Sequence, residues 1–295
     1  MALAAALAGC AGPKAEFTDA EWVSHATTGR GCYERGDYRR GAEAFGRAQE
    51  RARAMDDANA LAVAAANRSI CLMAEGKAVA ALEEAREALA DPRVEAGRRA
   101  ELKVVGARAL MALGQPEAAA AMAGEALEGK PTEWVRAQAA LVGGAEALTR
   151  EDAVGAQAAL AKGLAAKEWA RQPATVRAER AAQLGEAAAL EKRYAEALRL
   201  HEEAAETWKQ AGRLAEMARA TAEAGRNAQG AGDLAGACER YYRAARSLWA
   251  QKLEAEALQR LEEGVSCVEL IEDDEVAKEM MERFVTFKNG LRLAE

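Results

Sequence analysis

The sequence predicts an all-α protein: a right-handed α-solenoid of about six helix-turn-helix units, closed by a C-terminal capping helix pair. Three observations predict it. Alanine supplies 79 of the 295 residues, and Leu, Glu, Arg and Lys add more of the strong helix formers. Ile, Val and Thr together number only 25, too few to furnish an extensive sheet. A pattern of small and large residues also returns about every 40 positions, as it does when each unit is a stacked helix pair.

The elements follow in chain order. Thr18-x-x-Glu21 reads as a capping box that opens the first helix. Six similar segments then begin at residues 38, 78, 116, 153, 194 and 234, at spacings of 40, 38, 37, 41 and 40. Examples are Tyr38-Arg-Arg-Gly-Ala-Glu-Ala-Phe45-Gly-Arg-Ala48 and Tyr194-Ala-Glu-Ala-Leu-Arg-Leu-His201-Glu-Glu-Ala204. Each is the second helix, B, of a unit. Asp37 and Asp233 stand where such a helix needs an N-cap. Pro92, Pro116, Pro131 and Pro173 fall at helix ends or first turns, where a missing N–H costs nothing. Leu253 to Leu270 is one further helix. Asp273 then caps a last one carrying Val276, Met280, Phe284 and Phe287 on a single stripe. A solenoid needs such a terminal pair to cover its open end.

Within a unit, helix A carries a small residue and a larger one three places on. Helix B carries an aromatic, a small, a large and another small residue. In the first unit these are Gly29, Cys32, Tyr38, Gly41, Phe45 and Ala48; in the fifth, Gly185, Ala188, Tyr194, Ala197, His201 and Ala204; in the sixth, Gly225, Ala228, Leu234, Ala237, Tyr241 and Ala244. This pattern resembles the tetratricopeptide repeat over about residues 22–251. The resemblance implies repeats at about 22–55, 62–95, 100–133, 137–170, 178–211 and 218–251 and a cap at 253–290, all in one solenoid spanning 17–295. The units exceed the family's usual 34 residues, which implies extra helical turns.

The family resemblance further implies that the A helices line a concave face. Its inward positions are then Arg30 and Tyr33; Val63, Ala66, Ile70 and Met73; Val104, Arg108 and Met111; Leu141 and Leu148; and, further on, Glu186, Arg226 and Gln229. The first four units would offer an apolar groove flanked by Arg30 and Arg108, suited to an extended or helical peptide. Several of these residues are equally positions that neighbouring helices would cover. The Lys/Asn clamp used by relatives that bind chaperone tails is replaced here by Ala26, Arg30, Ala66 and Ile70.

At the N-terminus, Leu7-Ala8-Gly9-Cys10 closes an Ala-rich apolar run and resembles a bacterial lipobox. Residues 1–16 therefore read as a truncated lipoprotein signal and a tether, with Cys10 as the lipidated residue. The run is short, and no Lys or Arg precedes it. Ala11 after that cysteine is not the inner-membrane retention Asp, so the expected location is the periplasmic face of the outer membrane. Similar lipoproteins assist assembly of pilus secretins or outer-membrane barrels.

Little site chemistry remains. A net charge of −7 and a pI near 5.3 argue against a nucleic-acid partner. Residues 22–55 hold seven Arg against four acids, whereas 252–295 hold six basic against twelve acidic residues, a contrast read as solvated helix faces. Cys32, Cys71, Cys238 and Cys267 form no CxxC, and they read as small buried thiols whose pairing is open. His25 and His201 occupy large-residue positions and read as packed imidazoles. Gly124-Glu-Ala-Leu-Glu-Gly129-Lys130-Pro131 imitates a P-loop, but Pro131 replaces the hydroxyl residue and no strand precedes it. The expectation is a non-enzymatic scaffold that needs no cofactor or metal and meets a membrane only through an N-terminal lipid. The alternatives are a cytoplasmic adaptor or regulator of the same fold and a periplasmic binder of an apolar ligand.

Overall fold

The computed structural model describes residues 17–292, and among them lie fifteen helices and no strand. The first ten are α1 (Ala20–Glu34), α2 (Tyr38–Ala54), α3 (Ala58–Ala74), α4 (Ala78–Leu89), α5 (Ala96–Ala112), α6 (Pro116–Ala126), α7 (Glu133–Thr149), α8 (Ala153–Gly163), α9 (Ala166–Arg171) and α10 (Ala174–Leu190). They are followed by α11 (Tyr194–Gln210), α12 (Leu214–Gly230), α13 (Leu234–Ala250), α14 (Glu254–Val268) and α15 (Asp274–Arg292). The A helices are α1, α3, α5, α7, α10, α12 and α14. The short α9 is an element the periodicity does not announce. It buries Trp169, whose indole N–H donates to the Leu160 carbonyl at 3.1 Å, and Glu168 accepts from the backbone N–H of Ala165.

The chain divides into two compact units where the sequence led us to expect one. One holds the described residues through Arg150 together with Ala158–Val176; the other holds Glu151–Gln157 and the residues from Arg177 onward. Within the first unit, the α7–α8 crossing brings Gly143 against Ala159.

Nine connections share one three-residue form, with a middle residue at positive φ: Gly36, Asp56, Gly76, Gly114, Glu151, Lys192, Gly212, Gly232 and Lys252. In most of them the residue after it donates back to a carbonyl five positions earlier, as Asp233 N–H does to Ala228 at 2.9 Å. This is the Schellman closure of a helix C-terminus. Asp37, Asp57 and Asp233 then cap the next helix with their carboxylates. From α11 to α13, helices of seventeen residues alternate with turns of three, which produces the 40-residue period. In the middle of the chain, α4, α6 and α8 are shorter, and six-residue links at 90–95 and 127–132 restore much of the length.

The first helix is capped by Asp19, one residue beyond the Thr18 the sequence suggested. Its carboxylate accepts from Trp22 N–H at 2.8 Å and from Arg51, in the last turn of α2, at 2.9 and 2.6 Å. Arg51 holds the Asp19 carboxyl down to about 2. Asp19 does two jobs at once, which a Thr hydroxyl cannot. At the other end, Asp273 caps α15 as expected, and Phe284 is buried, with Met280 and Phe287 beside it and Tyr242 edge-on to both phenylalanines.

Five of the A helices, α1, α5, α10, α12 and α14, meet a B helix at a glycine. A Cβ added at Gly29 would lie 2.7–2.9 Å from the Phe45 ring. Gly106 faces Met122, Gly185 faces His201 and Gly264 faces Phe284 in the same way, while at Gly225 the added Cβ would meet the Ala237 carbonyl, Arg240 and the Tyr241 ring at 3.3–3.4 Å. Polar ties run alongside: buried Gln49 donates to Glu84 at 2.8 Å while Arg68 donates to both at 2.9 and 2.6 Å, joining α2, α3 and α4.

Two stability predictions follow from these contacts. Gly29→Ala must displace the Phe45 ring at a cost of about 1–3 kcal/mol, partly offset by about 1 kcal/mol of helix propensity, so urea unfolding should show a net loss. Lys192→Gly relieves a left-handed backbone at a non-glycine residue and should stabilise the protein by about 0.5 kcal/mol in the same assay.

Candidate functional site

The residues expected to line a groove are placed by A-to-A packing. In the first unit α3 packs on α5 and α5 on α7. That seam consumes most of the apolar side chains. Tyr33, Val63, Ile70, Met73, Leu141 and Leu148 are buried, as is Val104, and Met111 and Arg30 are half-buried. Tyr33 packs against Tyr38 with ring centroids 5.4 Å apart and the planes tilted by 52°. Arg108, expected to flank the groove, is only 4% exposed and donates to Gln138 at 3.0 Å across α5 and α7. These side chains largely fill an inter-helix seam, in which a small cleft remains. Cys10 lies outside the described residues.

The cleft is a small recess of about 10 Å³, lined by Val63, Ala66, Asn67 and Ile70 from α3, Glu101 from α5 and Trp134 from α7. Its geometry joins apolar walls to polar edges. Asn67 turns its amide nitrogen onto the Val63 carbonyl at 2.9 Å. Glu101 accepts from Arg98 at 2.7 Å. The indole Nε1 of Trp134 is buried and has no hydrogen-bond partner. An unpaired buried donor costs about 1–3 kcal/mol, a penalty that an incoming acceptor relieves. Asn67, Glu101 and Trp134 escaped the sequence reading. Glu101 and Gln138 share the repeat position of Val63 one and two units on, and that alternation of apolar and polar residues was the available signal.

In the second unit the inward positions carry charge. Arg226 on α12 pairs with Glu223 on its own helix and with Glu263 on α14 at 3.4 Å. Glu186 on α10 remains exposed, but desolvation and the neighbouring Glu223 raise its pKa. Gln229 accepts from the Tyr241 hydroxyl at 3.4 Å. His201 is a packed core imidazole: it is 4% exposed and lies against Gly185, and its Nδ1 has no partner. His25 lies 3.8 Å from Glu21. Among the described residues no group of three His, Cys, Asp or Glu side chains is placed to hold a metal, and no helix is long and apolar enough to cross a membrane.

The packed helix pairs, the glycine-to-large-residue crossings and the A-to-A seams define a solenoid of the tetratricopeptide type. Comparison with solved structures agrees on the fold. The structure of the APC/C hetero-tetramer Cut9–Hcn1 matches with a TM-score of 0.55 and 14% identity, over 91% of this chain and 49% of that one, so this chain spans about half its length. The structure of Pseudomonas aeruginosa pilF matches with a TM-score of 0.51 and 22% identity, over 82% of this chain and 97% of that one. A tetratricopeptide repeat protein from Parabacteroides merdae ATCC 43184 gives 0.47 at 14% identity, over 90% and 99% of the two chains. No protein-family model and no curated protein matches the sequence.

The buried imidazole generates a pH prediction. Burial lowers the His201 pKa below its ordinary 6.5, with Arg226 adding to the effect and Glu223 opposing it. Because the folded state resists the proton, stability is full above about pH 6.5 and is lost as pH falls below it. His201→Phe removes that dependence. Unfolding free energies of the two proteins should diverge in favour of the variant between pH 7.5 and about pH 5.

Proposed function

We propose that the chain is a non-enzymatic scaffold that holds a partner protein by an extended or helical segment laid on the A-helix face of its first unit. The observation that carries this reading is the cleft between α3, α5 and α7, with its apolar walls and the unpaired Trp134 N–H. A peptide supplies both requirements at once: an apolar side chain for the walls and a carbonyl for the indole. The recess, at about 10 Å³, lies far below the roughly 300–1,000 Å³ typical of small-molecule pockets, which favours a segment laid across the surface over an enclosed apolar ligand.

We further propose that the scaffold is anchored by lipid at Cys10 on the periplasmic face of a bacterial outer membrane and assists assembly of an envelope complex. The support is the run Leu7-Ala8-Gly9-Cys10. Several acyl chains would hold the protein firmly, at about 0.8 kcal/mol per buried CH₂.

Two measurements test the two parts. Peptides selected by display against the immobilised protein should carry an apolar anchor. They should bind Trp134→Ala at least tenfold more weakly, a loss of about 1.4 kcal/mol, with the melting temperature of the variant within a few degrees of the parent. Undiminished binding to Trp134→Ala would move the site elsewhere. The intact mass of the N-terminal fragment from the native host should begin at Cys10 with added acyl mass; a fragment retaining an unmodified Met1 would refute the anchor.

A further inference from the structure

The second unit contains two thiols that the proposed function does not use. Cys238 on α13 and Cys267 on α14 are both fully buried and both free. Their contacts are reciprocal. The Cys238 sulfur lies 3.8 Å from the Gly264 carbonyl, one turn before Cys267 on α14. The Cys267 sulfur lies 3.5 Å from the Leu234 carbonyl, one turn before Cys238 on α13. Each thiol thus reaches over the other's preceding turn. The pair lies in the apolar cluster formed by Ala237, Tyr241, Leu261, Val268 and Phe284, under the C-terminal helix α15.

We propose that Cys238 and Cys267 are a disulfide-forming pair, which a low-molecular-weight disulfide oxidises to a covalent staple between α13 and α14. In the first step one protein thiolate attacks a sulfur of the small disulfide and expels one small thiolate, leaving a mixed disulfide. The second protein thiolate then attacks the protein-bound sulfur of that bond and expels the other small thiolate. Two protein S–H bonds and one small-molecule S–S bond are lost; one protein S–S bond and two small-molecule S–H bonds are formed. The protein is oxidised by two electrons, and the small disulfide is reduced to two thiols.

Full burial sets the rate. The reagent reaches the pair only when the C-terminal helices open locally, so oxidation follows that opening and the finished staple is shielded from reductant. The other buried pair differs. Cys32 contacts the Arg35 guanidinium at 3.7 Å, and burial is the main cause that pushes Cys71 up to about 12, with Glu75 and Cys32 contributing less. Cys32 and Cys71 therefore serve as internal controls. The inference is independent of the proposed partner and anchor.

The test uses the full chain carrying Cys10→Ser, so that the four described cysteines alone report. The folded protein is incubated with excess oxidised glutathione at pH 8, quenched with N-ethylmaleimide and mapped by peptide mass. Hydrogen exchange on the same sample times the opening of α14 and α15. The expected result is a mass lower by about 2 Da before alkylation, a linked peptide pair containing Cys238 and Cys267, and alkylated Cys32 and Cys71. Dithiothreitol should reverse the link, Cys238→Ser and Cys267→Ser should each abolish it, and the oxidised form should melt about 5 °C higher. Three results would overturn the proposal: four alkylated thiols after α14 has exchanged, a glutathione adduct that never resolves to the internal bond, or a link to any other cysteine.

Discussion

Everything in this fold depends on how closely helix A can approach helix B. At Gly29, Gly106, Gly185, Gly225 and Gly264 the A helix presents bare backbone, and a large side chain from the partner helix lies flat against it. A protein with 79 alanines and few aromatics has little bulk from which to build a core. It compensates by bringing backbones together, so that one Phe, Met, His or Tyr per crossing suffices. Alanine fills the rest: Ala44, Ala48, Ala81, Ala85, Ala197, Ala204, Ala237 and Ala244 are each fully buried. Small residues at a helix interface gain dispersion contacts over a long, narrow seam, and the cost is that no single residue dominates stability.

That seam explains which parts of the structure were legible in the amino-acid order. The crossings at Gly29, Gly185 and Gly225 were legible because each glycine and its large partner lie sixteen residues apart in one hairpin, a local relationship. The turns were legible for the same reason, with Asp37 and Asp233 marking helix starts. The groove was not. A stripe such as Val63, Ala66, Ile70 and Met73 shows that one face of α3 is apolar, but two neighbours compete to cover that face. Which side chains remain open depends on how α5 and α7 lie, and those helices begin 38 and 75 residues after α3. The cleft that survives takes Glu101 and Trp134 from those helices, residues whose relation to Val63 is set only by packing. The cap at Asp19 was missed for a different reason: its value lies in Arg51, which arrives from the far end of α2.

The two units handle their inward positions differently. In the first, Arg108 is drawn into the seam by Gln138, and the surface left over is apolar with an unanswered indole donor. In the second, Arg219 pairs with Glu256 at 2.7 Å and Arg226 with Glu223 and Glu263, so charge runs from one A helix to the next. Exposed pairs of this kind contribute little to stability, on the order of 0–1 kcal/mol each, but they fix the register between successive helices. Burial of the charge-neutral His201 at one of these crossings makes that part of the fold sensitive to mild acid, where Phe45 and Tyr241 at the corresponding positions are not.

The seventeen-and-three rhythm of α11 to α13 also bears on how such a chain can change its length. Residues 194–233 begin with a B helix and end with the turn before the next one. Their excision would join Arg193, the last residue of a turn with a left-handed centre, directly to Leu234, which already follows a turn of that kind. Gly185 would then face Tyr241 in place of His201, an exchange of one ring for another at the same register. A whole repeat is therefore a unit of gain or loss that leaves every helix end closed and every crossing filled, whereas removal of a few residues within one would break both.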